Sequence, residues 1–191
     1  MLELKLQLRY NLPMWFVLLI TSWLPDNKLI FKLRGWLAGF FMKKCGKNLQ
    51  LGKDVTLLNP FNLEIGDNVY LAKGGWYNAL GGLVFEDEIL CAPYVVISTM
   101  QHVYKNDSFR FGGSTAAKVV IGKGSWLASH CSVKCGVTIG KSCLVAANAS
   151  VVRDVEDRSI VGGVPAKFIK EVEEGKASIY NKIDLLNNGK Q

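Results

Sequence analysis

The sequence predicts an all-β solenoid: a parallel β-helix led in by apolar helices and followed by a short C-terminal helix. Two observations carry that reading. From Leu51 onward an aliphatic residue returns every six positions, whereas the chain before it is basic, aromatic-rich and has no such rhythm. A period of six fits neither the 3.6-residue stripe of an amphipathic helix nor the alternation of one long strand. It fits short strands, each followed by a turn, stacked as the faces of a prism.

The 191 residues suffice for one full core and are too few for two ordinary domains with a linker. A hydrophobic content of 49% with 19 glycines and 5 prolines excludes a disordered or collagen-like chain. Three segments follow: a helical segment over 1–46, a β-helix over 47–169 and a tail over 170–191.

The N-terminal segment contains "LPMWFVLLITSWLP" and then "KLIFKLRGWLAGFFMKK". A bilayer span needs about 20 apolar residues, so the run between Pro13 and Pro25 is too short to cross. Two helices broken near Pro25 are expected. Of the net charge of +7, residues 1–50 supply +6: Lys5, Arg9, Lys28, Lys32, Arg34, Lys43, Lys44 and Lys47 against Glu3 and Asp26. Cations interleaved with Trp15, Trp23 and Trp36 suit an anionic membrane surface and not nucleic acid. The alternative is that these helices pack on the main domain and never meet lipid.

The five cysteines, Cys45, Cys91, Cys131, Cys135 and Cys143, are odd in number and follow no C-x-x-C pattern. They read as free thiols of a cytoplasmic protein. His130, Cys131 and Cys135 suggest zinc only in part, because no fourth ligand is evident.

Within the β-helix the aliphatic series runs Leu51 and Leu57, then Ile65, Leu71, Leu83, Ile89 and Val95 with Tyr77 in the missing place, then Ile121, Leu127, Val133, Ile139, Val145 and Val151. Small residues at the fifth position, among them Ser125, Cys131, Cys143 and Ala149, belong to the inner wall. The register slips by two between Leu57 and Ile65, and Val95 and Ile121 stand 26 apart where 24 is expected. Residues 101–118 therefore leave the wall as a loop with His102 at its root. Long loops in a regular scaffold usually carry function. After Ile169 the tail reads as a short helix and a polar end.

The stretches "NPFNLEIGDN", "WYNALG", "CAPYVVISTMQH", "VVIGKGSWLASHCSVKCGVTIGKSCLVAANASVV" and "SIVGGVPAKFIK" resemble the hexapeptide-repeat acyltransferases, and more narrowly the colanic-acid-type exopolysaccharide O-acetyltransferases. The resemblance implies a left-handed β-helix, a homotrimer with three equivalent sites, and acetyl-coenzyme A bound between coils of neighbouring subunits. It makes His102 the general base, a role that suits an imidazole titrating near neutrality. It places Asn78 near the acceptor, Ser129 and Ala147 along the pantetheine arm, and Val152, Arg153, Lys167 and Lys170 at the nucleotide end. The three cations there suit the phosphates of the coenzyme.

The sequence names no single partner for the second ring nitrogen of His102: Asp107, Glu86, Asp87 and a backbone carbonyl are all candidates. His130 falls in a turn after Ser129. A zinc enzyme on the same prism, of the γ-carbonic anhydrase kind, needs three ligating histidines, and the chain has two; no metal is expected. "FEDEIL" replaces an expected "IGDxV" unit and could reshape the acceptor side, while "KCG" and "GVPAK" are turn variants.

The expectation is an acetyl-coenzyme A-dependent O-acetyltransferase acting on a sugar hydroxyl of a surface polysaccharide or its precursor, in the cytoplasm and peripheral to the inner face of the plasma membrane. A soluble sugar or xenobiotic acceptor is the first alternative, a non-catalytic trimeric scaffold the second.

Overall fold

Residues 2–175 are described in the computed structural model, and from Lys44 onward they wind as a parallel β-helix. The first face stacks Lys44–Cys45, Leu63–Ile65, Leu83–Phe85, Val119–Ile121 and Thr138–Ile139. The second stacks Gln50–Leu51, Tyr70–Leu71, Leu90–Cys91, Trp126–Leu127, Leu144–Val145 and Ser159–Gly162. The third stacks Thr56–Leu58, Trp76–Asn78, Val96–Ser98, Ser132–Val133 and Ser150–Val151.

Sharp corners make the prism possible, and the sequence places residues there that accept a left-handed backbone. Asn48, Asn68 and Gly124 do so between the first and second faces, and Asp54, Gly74 and Asn148 between the second and third, all with φ between 58° and 73°. Tyr94 (φ 62°) and His130 (φ 62°) are costlier choices. Corner-to-corner bonds hold them: Tyr94 N–H donates to Lys73 O at 3.0 Å and His130 N–H to Pro93 O at 3.1 Å.

Three inward columns form the core. They run Cys45, Ile65, Phe85, Ile121, Ile139; then Leu51, Leu71, Cys91, Leu127, Val145, Val161; then Leu57, Tyr77, Ile97, Val133, Val151. All but Cys45, which is half-buried, are buried. Each aliphatic member contributes about 1.5–3 kcal/mol of hydrophobic stabilisation.

These columns correct the expected register in its middle stretch. Ile89 and Val95 are buried corner residues, and Phe85, Cys91 and Ile97 carry the face positions. The second two-residue slip lies between Tyr77 and Phe85, not between Val95 and Ile121. It repeats the slip between Leu57 and Ile65 at the corner joining the third face to the first. The hairpin of Met100–His102 and Ser114–Ala116 leaves from that corner one coil later.

The N-terminal segment caps the lower end. Helix α1 (Leu2–Leu6) runs through a π-helical turn (Gln7–Asn11) into α2 (Leu12–Thr21), and α3 (Lys28–Gly39) follows a break that contains Pro25. Asn27 begins α3 by accepting from Ile30 N–H at 3.0 Å. Met14, Val17, Ala38 and Met42 join the prism core. Gly35 is required by close approach, since a Cβ there would run into the Leu49 carbonyl. The first strand, Lys44–Cys45, already lies within the 1–46 segment.

Arg34 is fully buried and locks the cap to the first coil. Its guanidinium donates to Leu51 O at 2.7 Å, Thr21 O at 3.1 Å, Thr21 Oγ1 at 3.3 Å and Asp26 Oδ1 at 3.3 Å. Asp26 in turn accepts from Lys53 N–H at 3.0 Å. One of the eight N-terminal cations is therefore structural.

At the other end Lys167–Glu171 pairs antiparallel with Ser159–Gly162. The expected C-terminal helix spans 170–191; Lys170 and Glu171 are strand, and residues 176–191 lie outside the described residues.

Arg34→Ala strands two buried carbonyls and the Asp26 carboxylate. It is expected to lower unfolding free energy by about 3 kcal/mol in urea titration, with Lys32→Ala, exposed on the same helix, near zero.

Candidate functional site

The corner between the third and first faces is built from stacked polar turns. Asn59, in the left-handed region at φ 58°, donates through Nδ2 to Asn78 Oδ1 at 2.8 Å. Asn78 Oδ1 also accepts from Leu80 N–H at 3.2 Å, which fixes the amide orientation and turns Nδ2 the other way. That Nδ2 has no partner among the described residues, although Asn78 is only 6% exposed.

One coil above, Thr99 is fully buried. Its hydroxyl donates to Asn78 O and accepts from Gly81 N–H, each at 2.8 Å, while its carbonyl accepts from Ala117 N–H at 3.0 Å. Both strands of the hairpin are thus tied to the coil beneath.

His102 lies three residues beyond Thr99, opposite Ser114, exposed on the first strand of the hairpin. It lines an open cavity of about 470 Å³ with Phe109, Arg110 and Phe111. None of the three carboxylates expected to orient it does so. Asp107 Oδ1 accepts from Tyr104 Oη at 2.7 Å, Glu86 Oε2 from Lys123 N–H at 2.9 Å, and Asp87 Oδ1 from Asp67 N–H at 2.8 Å. Glu86 and Asp87 belong to the corner between the first and second faces, so "FEDEIL" braces that corner and does not border the cavity.

Ser129 and Ala147 sit at the corner between the second and third faces on consecutive coils, where Asn148 N–H donates to Ser129 O at 3.0 Å. Neither spends its own N–H on another described residue. Arg153 and Lys167 share a cleft of about 420 Å³ at the upper end with Asp154 and Glu156. Val152 is exposed beside it, and Lys170 pairs with Glu173 at 3.1 Å. Asn78 and His102 stand at one edge of the third face and Ser129 and Ala147 at the other. Val152 and Arg153 follow the third-face strand Ser150–Val151 in the uppermost coil, on the edge of Asn78 and His102.

His130 has a packing role, its ring stacked on Tyr94 with centroids 5.0 Å apart. Cys131 is a core residue whose thiol burial pushes up to about 12, so it stays protonated at neutral pH. Among the described residues no three His, Cys, Asp or Glu side chains gather as a metal set. Thr99 and the Phe109–Phe111 triplet escaped sequence reasoning. The signal for the triplet was a cation between two aromatics just before the Gly112–Gly113 pair.

No family model matches the chain. WcaF of Escherichia coli, an acetyltransferase assigned to colanic acid biosynthesis, is 26% identical over 161 residues, 84% of this chain and 87% of that protein. The galactoside O-acetyltransferase of Escherichia coli is 26% identical over 137 residues, 72% of this chain and 58% of that protein. Among solved structures, a galactoside acetyltransferase in complex with coenzyme A superposes with a TM-score of 0.76 at 23% identity, covering 85% of this chain and 80% of that one. A hexapeptide-repeat acetyltransferase of Vibrio cholerae with acetyl-coenzyme A gives 0.74 at 20% identity, covering 85% and 86%.

Thr99→Val leaves Gly81 N–H and one lone pair of Asn78 O unpartnered. It is expected to cost about 2 kcal/mol and to make the 103–113 segment cleavable in limited proteolysis at a protease level that spares the parent.

Proposed function

We propose that the chain, whose β-helix is shared with the hexapeptide-repeat acetyltransferases it is similar to, moves an acetyl group from acetyl-coenzyme A to a sugar hydroxyl of a surface polysaccharide or its precursor. The observation that carries this reading is His102, held at the mouth of an open cavity by a hairpin anchored through Thr99. A neutral imidazole nitrogen takes the proton of the sugar hydroxyl as its oxygen attacks the thioester carbonyl. A carbon–oxygen bond forms, the carbon–sulfur bond breaks, and the proton passes to the departing thiolate. The free Nδ2 of Asn78 is a donor for the acceptor sugar.

The coenzyme is a substrate here, and the residues suit it. Ser129 and Ala147 offer free N–H groups on stacked turns, while Arg153 and Lys167 provide cations at the upper cleft for the phosphates. Val152 flanks that cleft, and Lys170 joins it on release from Glu173.

Because the base and these turns lie at opposite edges of one face, a single chain does not assemble the site. A second copy presenting its own edge does, and a ring of three closes such a contact. The outward column of the second face, Tyr70, Leu90, Trp126, Leu144 and Ile160, is an apolar surface for that contact. The WcaF similarity supports a surface glycan as acceptor.

The N-terminal cap supports a membrane location in preference to a soluble acceptor. Helices α2 and α3 each bury one side and expose an apolar stripe on another: Leu12, Trp15 and Leu19, continued by Leu8 before the helix and Trp23 after it, and Leu29, Leu33, Trp36 and Phe40. Trp23 is 87% exposed. A cap of the prism needs only the buried stripe. The outer stripes, with Lys5, Arg9, Lys28 and Lys32 exposed beside them, suit the headgroup region of an anionic bilayer. No described helix is long and apolar enough to cross a membrane, so the cap would lie in the interface of the inner leaflet.

Three measurements check this. His102→Ala is expected to lower coenzyme A release by about 10²- to 10⁴-fold while leaving acetyl-coenzyme A binding by calorimetry intact; full activity in that variant removes the base. Sedimentation should give three times the 21.1 kDa of one chain, and Trp126→Glu should give single chains without activity. Flotation should carry the protein with vesicles containing anionic phospholipid and not with neutral ones, and Trp23→Ser with Trp36→Ser should abolish it; recovery in the soluble fraction throughout favours a soluble acceptor.

A further inference from the structure

The hairpin that carries His102 is a more developed structure than a base alone requires. Lys105 and Ser108 exchange backbone hydrogen bonds at 3.0 and 3.1 Å across a turn in which Asn106 and Asp107 are left-handed. The Tyr104 hydroxyl donates to Asp107 at 2.7 Å, and the Tyr104 ring packs on Phe109 with centroids 5.1 Å apart. Gly112 is obligatory, because a Cβ would run into the Val103 carbonyl, and Gly113 takes φ +87° to bring the strand back. Val103 N–H closes the ladder on Gly113 O at 3.0 Å. The tip is therefore braced.

What the bracing presents is unusual for a free surface. Phe109 and Phe111 are exposed, Phe111 at 83%, and Arg110 stands between them with its guanidinium carbon 5.8 Å from the Phe111 ring centroid. Arg110 forms no ion pair among the described residues, and the one acid of the hairpin, Asp107, is taken by Tyr104. All three side chains line the cavity that holds His102.

We infer that Phe109, Arg110 and Phe111 form an acceptor subsite for an anionic glycan, with the rings against the apolar faces of a sugar and Arg110 on a carboxylate of the same or the adjoining residue. The inference rests on the acetyl-transfer reading and adds the charge class of the acceptor. The ring faces supply flat apolar contact at small entropic cost. The guanidinium supplies a planar fork that fits a carboxylate bidentately, and the Phe111 face holds that fork out of bulk solvent on one side. A sugar seated on the rings would have its hydroxyls in the cavity that His102 lines. Arg110 and the two rings are specificity-determining residues, and the catalytic step stays with His102.

The test uses the full chain and two probes: a tetrasaccharide containing uronic acid, and the same tetrasaccharide with its carboxylates reduced to alcohols. Binding is read by saturation-transfer NMR without acetyl-coenzyme A, and transfer by coenzyme A release. The acidic probe should bind at least 10-fold more tightly than the neutral one. Arg110→Gln should erase that preference without weakening the neutral probe, and Phe111→Ala should weaken both. Equal binding of the two probes, binding of neither, or an unchanged preference in Arg110→Gln overturns the subsite. Loss of the trimer in Phe111→Ala, read by sedimentation, also overturns it and makes the tip a subunit contact. Binding with the expected preference but no transfer leaves the subsite standing and counts against the catalytic reading alone.

Discussion

The constraint on which everything else depends is the backbone ladder between coils. Within a face, each strand of an inner coil is bonded to the coil below and the coil above, as Trp126 is between Leu90 and Leu144. Inserting one residue within a face would turn the inward column outward from that point on and leave N–H and C=O groups unpaired. Extra chain is tolerated only at a corner. The corner between the third and first faces is already widened by the Asn59–Asn62 and Ala79–Gly82 turns before the hairpin emerges from it, and it is tight again at Lys134–Gly136. The hairpin that carries His102 thus stands on two stacked wide turns, tied to them by the chain of bonds from Asn59 through Asn78 to Thr99. The chain begins at the cap, where Asn11 Oδ1 accepts from Asn59 N–H at 3.2 Å.

A solenoid leaves an open strand edge and an open core at each end, and both invite association. The lower end is closed by α2 and α3, with Arg34 spanning four acceptors between the helices and the first coil. The buried guanidinium is tolerable because each contact is a hydrogen bond and one is to a carboxylate. The upper end is closed more lightly, by the antiparallel strand Lys167–Glu171 beside Ser159–Gly162. That difference has a consequence for function. The lower cap presents a second, exposed apolar stripe, whereas the upper end carries a cleft of mixed charge, with Arg153 and Lys167 beside Asp154 and Glu156.

Much of the fold was legible because the solenoid writes its period directly into the chain. From Ile121 to Val151 no residue departs from the six-residue rule, and all six members occupy face positions. The middle coil is misphased in the sequence reading because its buried corner residues, Ile89 and Val95, are as apolar as the face residues Phe85 and Ile97. Where both inward positions are large, hydrophobicity cannot distinguish them. His102 was visible as a break in rhythm. Its surroundings were not: the pairing of Tyr104 with Asp107 and the wall made by Phe109 and Phe111 depend on hairpin geometry, which has no period. The engagement of Glu86 and Asp87 in corner bonds was equally hidden, since an acid that caps a turn and one that orients a base look alike in a sequence.

The two ends of the molecule bear on the acceptor together. The hairpin leaves the third coil, two coil spacings above the first coil on which the cap packs, which at about 4.8 Å per coil is about 10 Å along the prism axis. On the proposed reading, a glycan reaching His102 from a lipid surface under the outer stripes of the cap would cross that height and also the thickness of the helices, about 10 Å more. Its charge matters on the way. The flank of the cap offers Lys28 and Lys32 and the hairpin offers Arg110, so an acidic chain would meet cations at both heights. Steering of this kind raises the local concentration of an anionic acceptor without any contact to the reacting hydroxyl. On the proposed reading, acceptor choice would be a property of the cap and the hairpin, with the stacked coils between them setting the distance.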